Sequence, residues 1–494
     1  MTGAHTATAA PPQIGELARL SAVDLIAGYR QRRFSPTDVI EEVIAALRTT
    51  DALCNVMVTP MFDGARESAR AATEAWRRGE PAGALTGVPV TVKDLIFVAG
   101  VPARGGAPAF QDFVPTVDSA VVTALRRAGA VLTCKTTTCE SGYKLTADSP
   151  VSGVTRNPWR LDRTSGGSSG GAAAAVAAGC GPLAVGTDGV GSIRVPSSFC
   201  GVFGIKPTFG LVPRAPGFFP PSWGTLAHTG PIARSVADAA LLLEVIAGHD
   251  VRDAASLPVP SRKFPLDGGD LAGLRIAFSA DFGYAAIAPG VRRRFEAAIA
   301  TLNDLGAALL ADRPRLDADV LERIIKPIAY TEQAAAIVSR DAVTLRRSDA
   351  DYQALIAKGR TYGGVDYVDA THRRTQLRNQ FVQLFQEVDV LVTPTAAVTA
   401  FDAGTLGVDS IDGRAVDPHL GWSPFSWPIN LTGLPAATIP CGFDENGLPV
   451  GLQIVAPWLR EDVIFRVAHA FETAQQPLSR WPAFASGHQH GTGG

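Results

Sequence analysis

The sequence predicts an α/β protein whose sheet is buried on both faces, and three observations point there. Hydrophobic residues make up 46% and charged residues 19% of the 494-residue chain, enough to bury a large core and far from the composition of a disordered chain. Short apolar, β-branched runs recur at Val88 to Val92, Val131 to Thr133 and Leu183 to Val185, with further strands expected at Leu274 to Phe278, Val388 to Val392, Ala436 to Ile439 and Leu452 to Val455. Helical or glycine-rich segments separate them, the pattern of strands covered on both sides.

Taken in order, the chain opens with helices. Ser21 stands three residues before Asp24, and Ser35-Pro36-Thr37-Asp38 supplies an N-cap, a first-turn proline and a first-turn acid. Val39, Val43, Ile44 and Leu47 then share one helical face. The strand runs begin after Pro81. The polar stretch Gly248 to Gly269, with Pro258, Pro260 and Pro265, reads as an excursion inside one assembly more than as a hinge, and a long helical stretch is expected from about Leu321 to Glu387. Residues 1–14 and 487–494 are expected to be disordered tails.

Composition narrows the function. A formal net charge of -2, from 45 Lys+Arg and 47 Asp+Glu, gives no basic field for nucleic acid or an anionic membrane. Six scattered cysteines and the lack of a cationic, apolar leader in Met1 to Gln13 suggest a cytoplasmic protein with reduced thiols. Neither a CxxC pair nor an HExxH motif occurs, so no metal and no cofactor are expected. Ser165 to Thr187 is uncharged and long enough to span a bilayer, but its seven glycines and Pro182 read as loop and tightly buried backbone, and no membrane span is expected.

The chemistry concentrates between Asn157 and Gly210. Ser165-Gly166-Gly167-Ser168-Ser169-Gly170-Gly171 is followed by Gly186-Thr187-Asp188-Gly189-Val190-Gly191-Ser192-Ile193-Arg194, so Ser168 and Ser192 lie 24 residues apart, each within glycine-rich backbone. Glycine lets backbone N–H groups approach a substrate oxygen, so a serine held there can be a nucleophile facing its own oxyanion hole. Tight strand-to-helix turns are the plainer use of such loops. Gly166 to Gly170 also matches the G-x-S-x-G nucleophile elbow, yet the turn-rich Asn157 to Thr164 precedes it where the elbow requires a strand. The phosphate-loop pattern GxxxxGK[ST] is absent.

These motifs, with Val92-Lys93-Asp94, Phe199-Cys200-Gly201, Gly204-Ile205-Lys206-Pro207-Thr208, Thr393-Pro394-Thr395 and Leu434-Pro435-Ala436, resemble the amidase signature enzymes, serine hydrolases of amides that use a Ser-Ser-Lys triad. The resemblance spans roughly residues 15 to 480. It implies a single large α/β/α assembly over residues 15–482, with a central mixed β-sheet covered by helices on both faces. Its parts would be an N-terminal helical wrap at about 15–80, a signature core at about 81–247 and a C-terminal part at about 270–482.

Position by position, the resemblance makes Ser192 the nucleophile, Ser168 the bridging serine behind a cis peptide bond and Lys93 the terminal base, with Ser169 in support. An amide is a poor electrophile, so its hydrolysis needs an activated hydroxyl, a stabilised oxyanion and a protonated leaving amine. Lys93 must be neutral to act as base, which burial at the end of an apolar strand would achieve; by position alone it is a surface lysine paired with Asp94. The backbone N–H groups of Gly189, Val190, Gly191 and Ser192 would form the oxyanion hole, and Asp188 with Arg194 would be a buried pair fixing the loop. One departure stands out: Gly189-Val190-Gly191 replaces the family's usual T-G-G, and a β-branched residue fits badly at positive φ.

Three functions follow. The first is an amidase acting on an apolar or aryl carboxamide, or a related anilide or carbamate, with a small-molecule substrate and a homodimer left open. The second is the glutamine-hydrolysing subunit of a tRNA-dependent amidotransferase, against which Ser222-Trp223-Gly224-Thr225-Leu226-Ala227-His228 stands where that branch carries S-L-D-Q. The third is a ligand-binding module without turnover. Cys180 and Cys200 are expected as small buried hydrophobes. The aromatic groups Gly217 to Trp223 and Trp422, Phe425 and Trp427 are expected partly in the core and partly around an apolar pocket.

Overall fold

The computed structural model describes residues 14–218, 224–260, 262–266, 269–311, 313–336, 345–475 and 480–486. Both N-terminal helix starts form as the sequence implies. The Ser21 hydroxyl accepts from the Asp24 N–H, and Ser35 and Asp38 close a reciprocal capping box at the head of Pro36–Cys54. Val39, Val43, Ile44 and Leu47 are buried along that helix.

Among the described residues, eleven strands make one mixed sheet: β1 Met57–Pro60, β2 Pro89–Lys93, β3 Val131–Thr136, β4 Leu183–Asp188, β5 Phe203–Lys206, β6 His228–Ala233, β7 Arg275–Phe278, β8 Ala308–Leu310, β9 Val390–Pro394, β10 Ala436–Phe443 and β11 Pro449–Val455. Their spatial order is β1-β3-β2-β4-β6-β5-β10-β11-β9-β7-β8. β2 runs parallel to both β3 and β4, while β4 is antiparallel to β6. All seven expected strands are present. Strands from both sides of Gly248 to Gly269 join the same sheet, through β5 pairing with β10, which makes that stretch an internal excursion.

Alternation along the strands produces the layers. Val90, Val92, Leu183, Val185, Ile205, Leu452, Ile454 and Val390 pack into one cluster with helices Val236–Ile246 and Glu461–Gln475. Val131, Cys134 and Ala184 face the helices Pro36–Cys54 and Gly170–Ala178 on the other side. Leu391, Ala436 and Val455 face the helices of the C-terminal part, with Trp422, Phe425 and Trp427 buried among them.

Some expectations change. The Leu321 to Glu387 stretch is divided into a π-turn at Leu321–Ile325 and helices Lys326–Ala336, Ala350–Gly359 and Gly364–Glu387. Asp349 accepts from the Asp351 N–H and starts the helix at Ala350 anew. Strands β1, β5, β6 and β8 were not expected. The run His228-Thr229-Gly230-Pro231 carries a glycine and a proline, and it is extended because six positions of β6 register against β4. Ile14, assigned to a tail by sequence, is buried beside Ala18 and Leu25. The rest of both tails and Phe219 to Trp223 lie outside the described residues. Ser165 to Thr187 divides into a loop, the nine-residue helix Gly170–Ala178 and most of β4. No helix among the described residues is long and apolar enough to cross a membrane.

Ser35→Ala removes the capping box while leaving the helix's buried face intact. It should cost about 1 kcal/mol, read as a small fall in thermal midpoint with amide turnover unchanged.

Candidate active site

Two adjacent parallel strands, β2 and β4, end at the same edge of the sheet, the edge where α/β folds place their ligands. Lys93 is the last residue of β2 and Thr187-Asp188 the last two of β4. Val90 and Val92 point into the apolar layer, so Lys93 points the other way, towards the loop that precedes Gly170–Ala178. Asp94 leaves on its own course and pairs with Lys135 at 2.9 Å, also accepting from the Arg104 and Gly105 N–H groups. The surface Lys93–Asp94 pair suggested by adjacency does not form.

Lys93 is fully buried, and its Nζ lies 2.7 Å from Ser168 Oγ, 2.9 Å from Ser169 Oγ, 2.9 Å from Thr187 Oγ1 and 3.4 Å from Thr187 O. Desolvation lowers its pKa to about 7, against smaller raising influences from Cys139 and Asp188. The amine is therefore substantially neutral at physiological pH while surrounded by hydroxyls. The Gly167–Ser168 peptide is cis. Ser169 also donates to Thr187 O at 3.1 Å and accepts from the Thr187 N–H at 3.2 Å, and it covers Gly186, where a Cβ would come within 2.9 Å of Ser169 Oγ.

Ser192 is tied to the same loop, its carbonyl accepting from the Ser169 N–H at 3.1 Å. It lies in a turn shaped by Asp188, whose carboxylate accepts from the Gly191 N–H at 2.8 Å and the Ile193 N–H at 3.1 Å. Arg194 closes on both carboxylate oxygens at 2.9 Å each. Both side chains are fully buried, and the arginine and Asn430 hold the Asp188 pKa well below the carboxylate range despite burial. Arg194 reaches on to Ser426 O at 3.0 Å and Gln453 Oε1 at 2.7 Å, while Asn430 Nδ2 donates to Asp188 Oδ1 at 2.8 Å.

The Gly189-Val190-Gly191 departure resolves locally. Val190 is not at positive φ; its side chain is buried with Tyr143, Leu145 and Leu226, and its carbonyl accepts from Ser426 Oγ at 2.7 Å. The residue that requires glycine is Gly191, at φ +131°, where a Cβ would lie 2.5 Å from Ser426 Oγ. Of the four N–H groups expected at an oxyanion, that of Gly191 is donated to Asp188 Oδ1 at 2.8 Å. Those of Gly189, Val190 and Ser192 have no acceptor among the described residues.

Several contributors were not legible in sequence. Thr187 is an ordinary strand residue until Lys93 arrives beside it, and Asn430, Ser426 and Gln453 come from more than 230 residues downstream. Only the shared local motif of Thr187 with Asp188 offered a signal. Cys180 and Cys200, as expected, are buried and unpaired, with thiol pKa values pushed up by burial.

Burying Lys93 has a stability cost with a definite pH window. Its folded pKa lies below the unfolded value of 10.5, so the unfolded chain binds more protons between about pH 7 and 10.5. The cost is complete below that window and fades as pH rises through it. The wild-type thermal midpoint should therefore climb relative to Lys93→Met between pH 7 and pH 10; parallel profiles would mean that Lys93 is not desolvated.

Comparison with known proteins gives the family and the reaction class. The amidase family model matches residues 38–465. The chain is 36% identical over 475 residues to a glutamyl-tRNA(Gln) amidotransferase subunit from Synechococcus sp. strain RCC307, covering 90% of this chain and 94% of that one. It is 36% identical over 472 residues to an acylamidase of Rhodococcus erythropolis, covering 94% and 97%. Among solved structures, a bacterial aryl acylamidase of the amidase signature family superposes with a TM-score of 0.89 at 28% identity, covering 96% of this chain and all of that one. The chain belongs to the amidase signature family and is an amide-cleaving hydrolase.

Proposed function

We propose that the chain hydrolyses the C–N bond of an apolar or aryl carboxamide through an acyl-enzyme on Ser192. The observation that carries this reading is the 2.7 Å contact between Ser168 Oγ and a fully buried lysine whose pKa lies near neutrality. In the neutral state Lys93 Nζ keeps a lone pair for the Ser168 proton and gives its N–H groups to Thr187 and Ser169. Ser168, relieved of its proton, takes that of Ser192, and Ser192 Oγ attacks the carbonyl carbon. The N–H groups of Gly189, Val190 and Ser192 receive the oxyanion, where each donor contributes roughly 10²- to 10³-fold in rate. The proton returns along the same path to the departing amine, and water reverses the sequence to release the acid. Protonation of Lys93 stops the relay, so activity rises with pH through an acid limb near pH 7.

The substrate class is drawn from the relatives. Tyr143, Leu145 and Leu226 belong to the same buried apolar cluster as Val190 of the Ser192 loop, and the similar structure with a TM-score of 0.89 is an aryl acylamidase. The second reading, the glutamine-hydrolysing subunit of a tRNA-dependent amidotransferase, is favoured by equal identity to such subunits and opposed by Leu226-Ala227-His228 in place of L-D-Q.

Treatment with a fluorophosphonate, followed by peptide mapping, should give one adduct on Ser192 that is absent from Ser192→Ala; an adduct on Ser168 would support an elbow nucleophile instead. A panel of anilides, aliphatic amides, carbamates and glutamine separates the two readings. The purified chain alone should turn over an aryl or apolar amide, whereas glutaminase activity appearing only with added partner subunits would sink the stand-alone amidase.

A further inference from the structure

Beneath the Ser192 loop lies a buried pair of bases that the relay above does not use. His228 opens β6 and Lys206 closes β5, and both are buried. Lys206 Nζ lies 3.3 Å from His228 Nε2, and His228 Nδ1 lies 3.2 Å from the backbone oxygen of Asp188. A carbonyl oxygen only accepts, so Nδ1 carries the ring hydrogen. Nε2 of the neutral ring is then the acceptor for a Lys206 N–H, which anchors the ring on its other side. Burial and the nearby lysine hold the His228 pKa well below its ordinary value, in keeping with a neutral ring. Lys206 is itself held in place by the carbonyls of Pro207 and Leu434, and the imidazole packs edge-on against Phe209 at 5.5 Å.

The carbonyl that His228 grips has a particular neighbour. The Asp188–Gly189 peptide is planar and trans, so its C=O and N–H point in opposite directions. The oxygen is held from one side by His228 Nδ1 and by Asn430 Nδ2 at 3.1 Å. The N–H of the same peptide, that of Gly189, points the other way and has no acceptor among the described residues. Gly189 has neither a side chain nor, unlike its neighbours Asp188 and Val190, full burial to hold it.

We infer that His228, its ring anchored through Nε2 by Lys206, is a positioning residue that aims the Gly189 N–H at the oxyanion of the tetrahedral intermediate. This rests on the oxyanion reading proposed above and adds to it the source of its preorganisation. A donor aligned before reaction stabilises developing charge without reorganisation at that moment, and the gain falls on the transition state rather than on the bound amide. The lysine and histidine therefore act on kcat through one peptide plane, without touching substrate and without taking a proton from it.

The test compares His228→Leu, His228→Asn and Lys206→Met with the wild type on an amide the wild type turns over, using phenylboronic acid as a tetrahedral mimic. His228→Leu should lower kcat by about 10²-fold with KM within about twofold, and weaken phenylboronic acid inhibition by the same factor. The acid limb near pH 7 should stay in place, because Lys93 is untouched. His228→Asn, which keeps an N–H near the Nδ1 position, should recover most of the loss. Should His228→Leu fail to fold, Lys206→Met retains the ring but removes the Nε2 contact that anchors it against the Asp188 carbonyl, and it should lower kcat in the same direction at constant KM. Wild-type kcat and boronate affinity in His228→Leu or Lys206→Met, an equal loss in the Leu and Asn variants, or a shifted acid limb would each overturn the inference. Failure of the wild type to take a fluorophosphonate on Ser192 would instead remove the oxyanion reading on which it rests.

Discussion

The buried ion pair of Asp188 and Arg194 is the interaction on which the rest of the site depends. Its two charges lie wholly out of water, and such a pair is tolerable only when every remaining donor and acceptor is satisfied. That requirement recruits distant chain. Gly191 and Ile193 N–H groups complete the carboxylate, while Ser426 O and Gln453 complete the guanidinium and Asn430 bridges the pair from the C-terminal part. The turn bearing Ser192 is thereby clamped between β4, the helix Trp427–Thr432 and β11. Removal of either charge alone leaves the other buried without its partner, which in comparable pairs costs about 3 to 5 kcal/mol.

A second constraint works through the absence of charge. Among the described residues, Lys93 sits where no carboxylate pairs with it directly, surrounded by three hydroxyls and a carbonyl. Lys135, on the neighbouring strand, is equally buried but has Asp94 at 2.9 Å. The two lysines share composition, strand context and burial. They differ in the partner that the pleat brings to each, and at Lys93, without a carboxylate partner, burial lowers the pKa to about 7. The Asp188 carboxylate, engaged by Arg194, raises the Lys93 pKa less than burial lowers it.

Much of the architecture was legible because it rests on local pattern. Seven strands declared themselves by apolar, β-branched runs, and Ser21 and Ser35 marked helix starts through caps that need only neighbours three residues away. β6 was hidden because its sequence carries glycine and proline and becomes a strand only through pairing with β4. The break in the Leu321 to Glu387 stretch was hidden because Asp349 is one acid among many until its side chain caps a new helix. Within the site, the glycine-rich spacing of Ser168 and Ser192 and the adjacent Asp188 and Arg194 were readable. The engagement of the Gly191 N–H by Asp188 was not, since it follows from where the carboxylate points.

The sequence by itself determined an α/β class, the strand set built on apolar runs, and a set of short motifs whose resemblance to the amidase signature enzymes implied amide hydrolysis. Those properties depend on periodicity, capping and short-range spacing, which a linear chain carries. Tertiary structure alone decided which lysine is unpaired, which backbone N–H groups remain unspent, and that His228 and Lys206 stand behind the Ser192 loop. Each of these is set by strand order and by side chains meeting across long separations in sequence. Burial then converts such meetings into pKa shifts and fixed tautomers, because a desolvated group has no water to replace a missing partner.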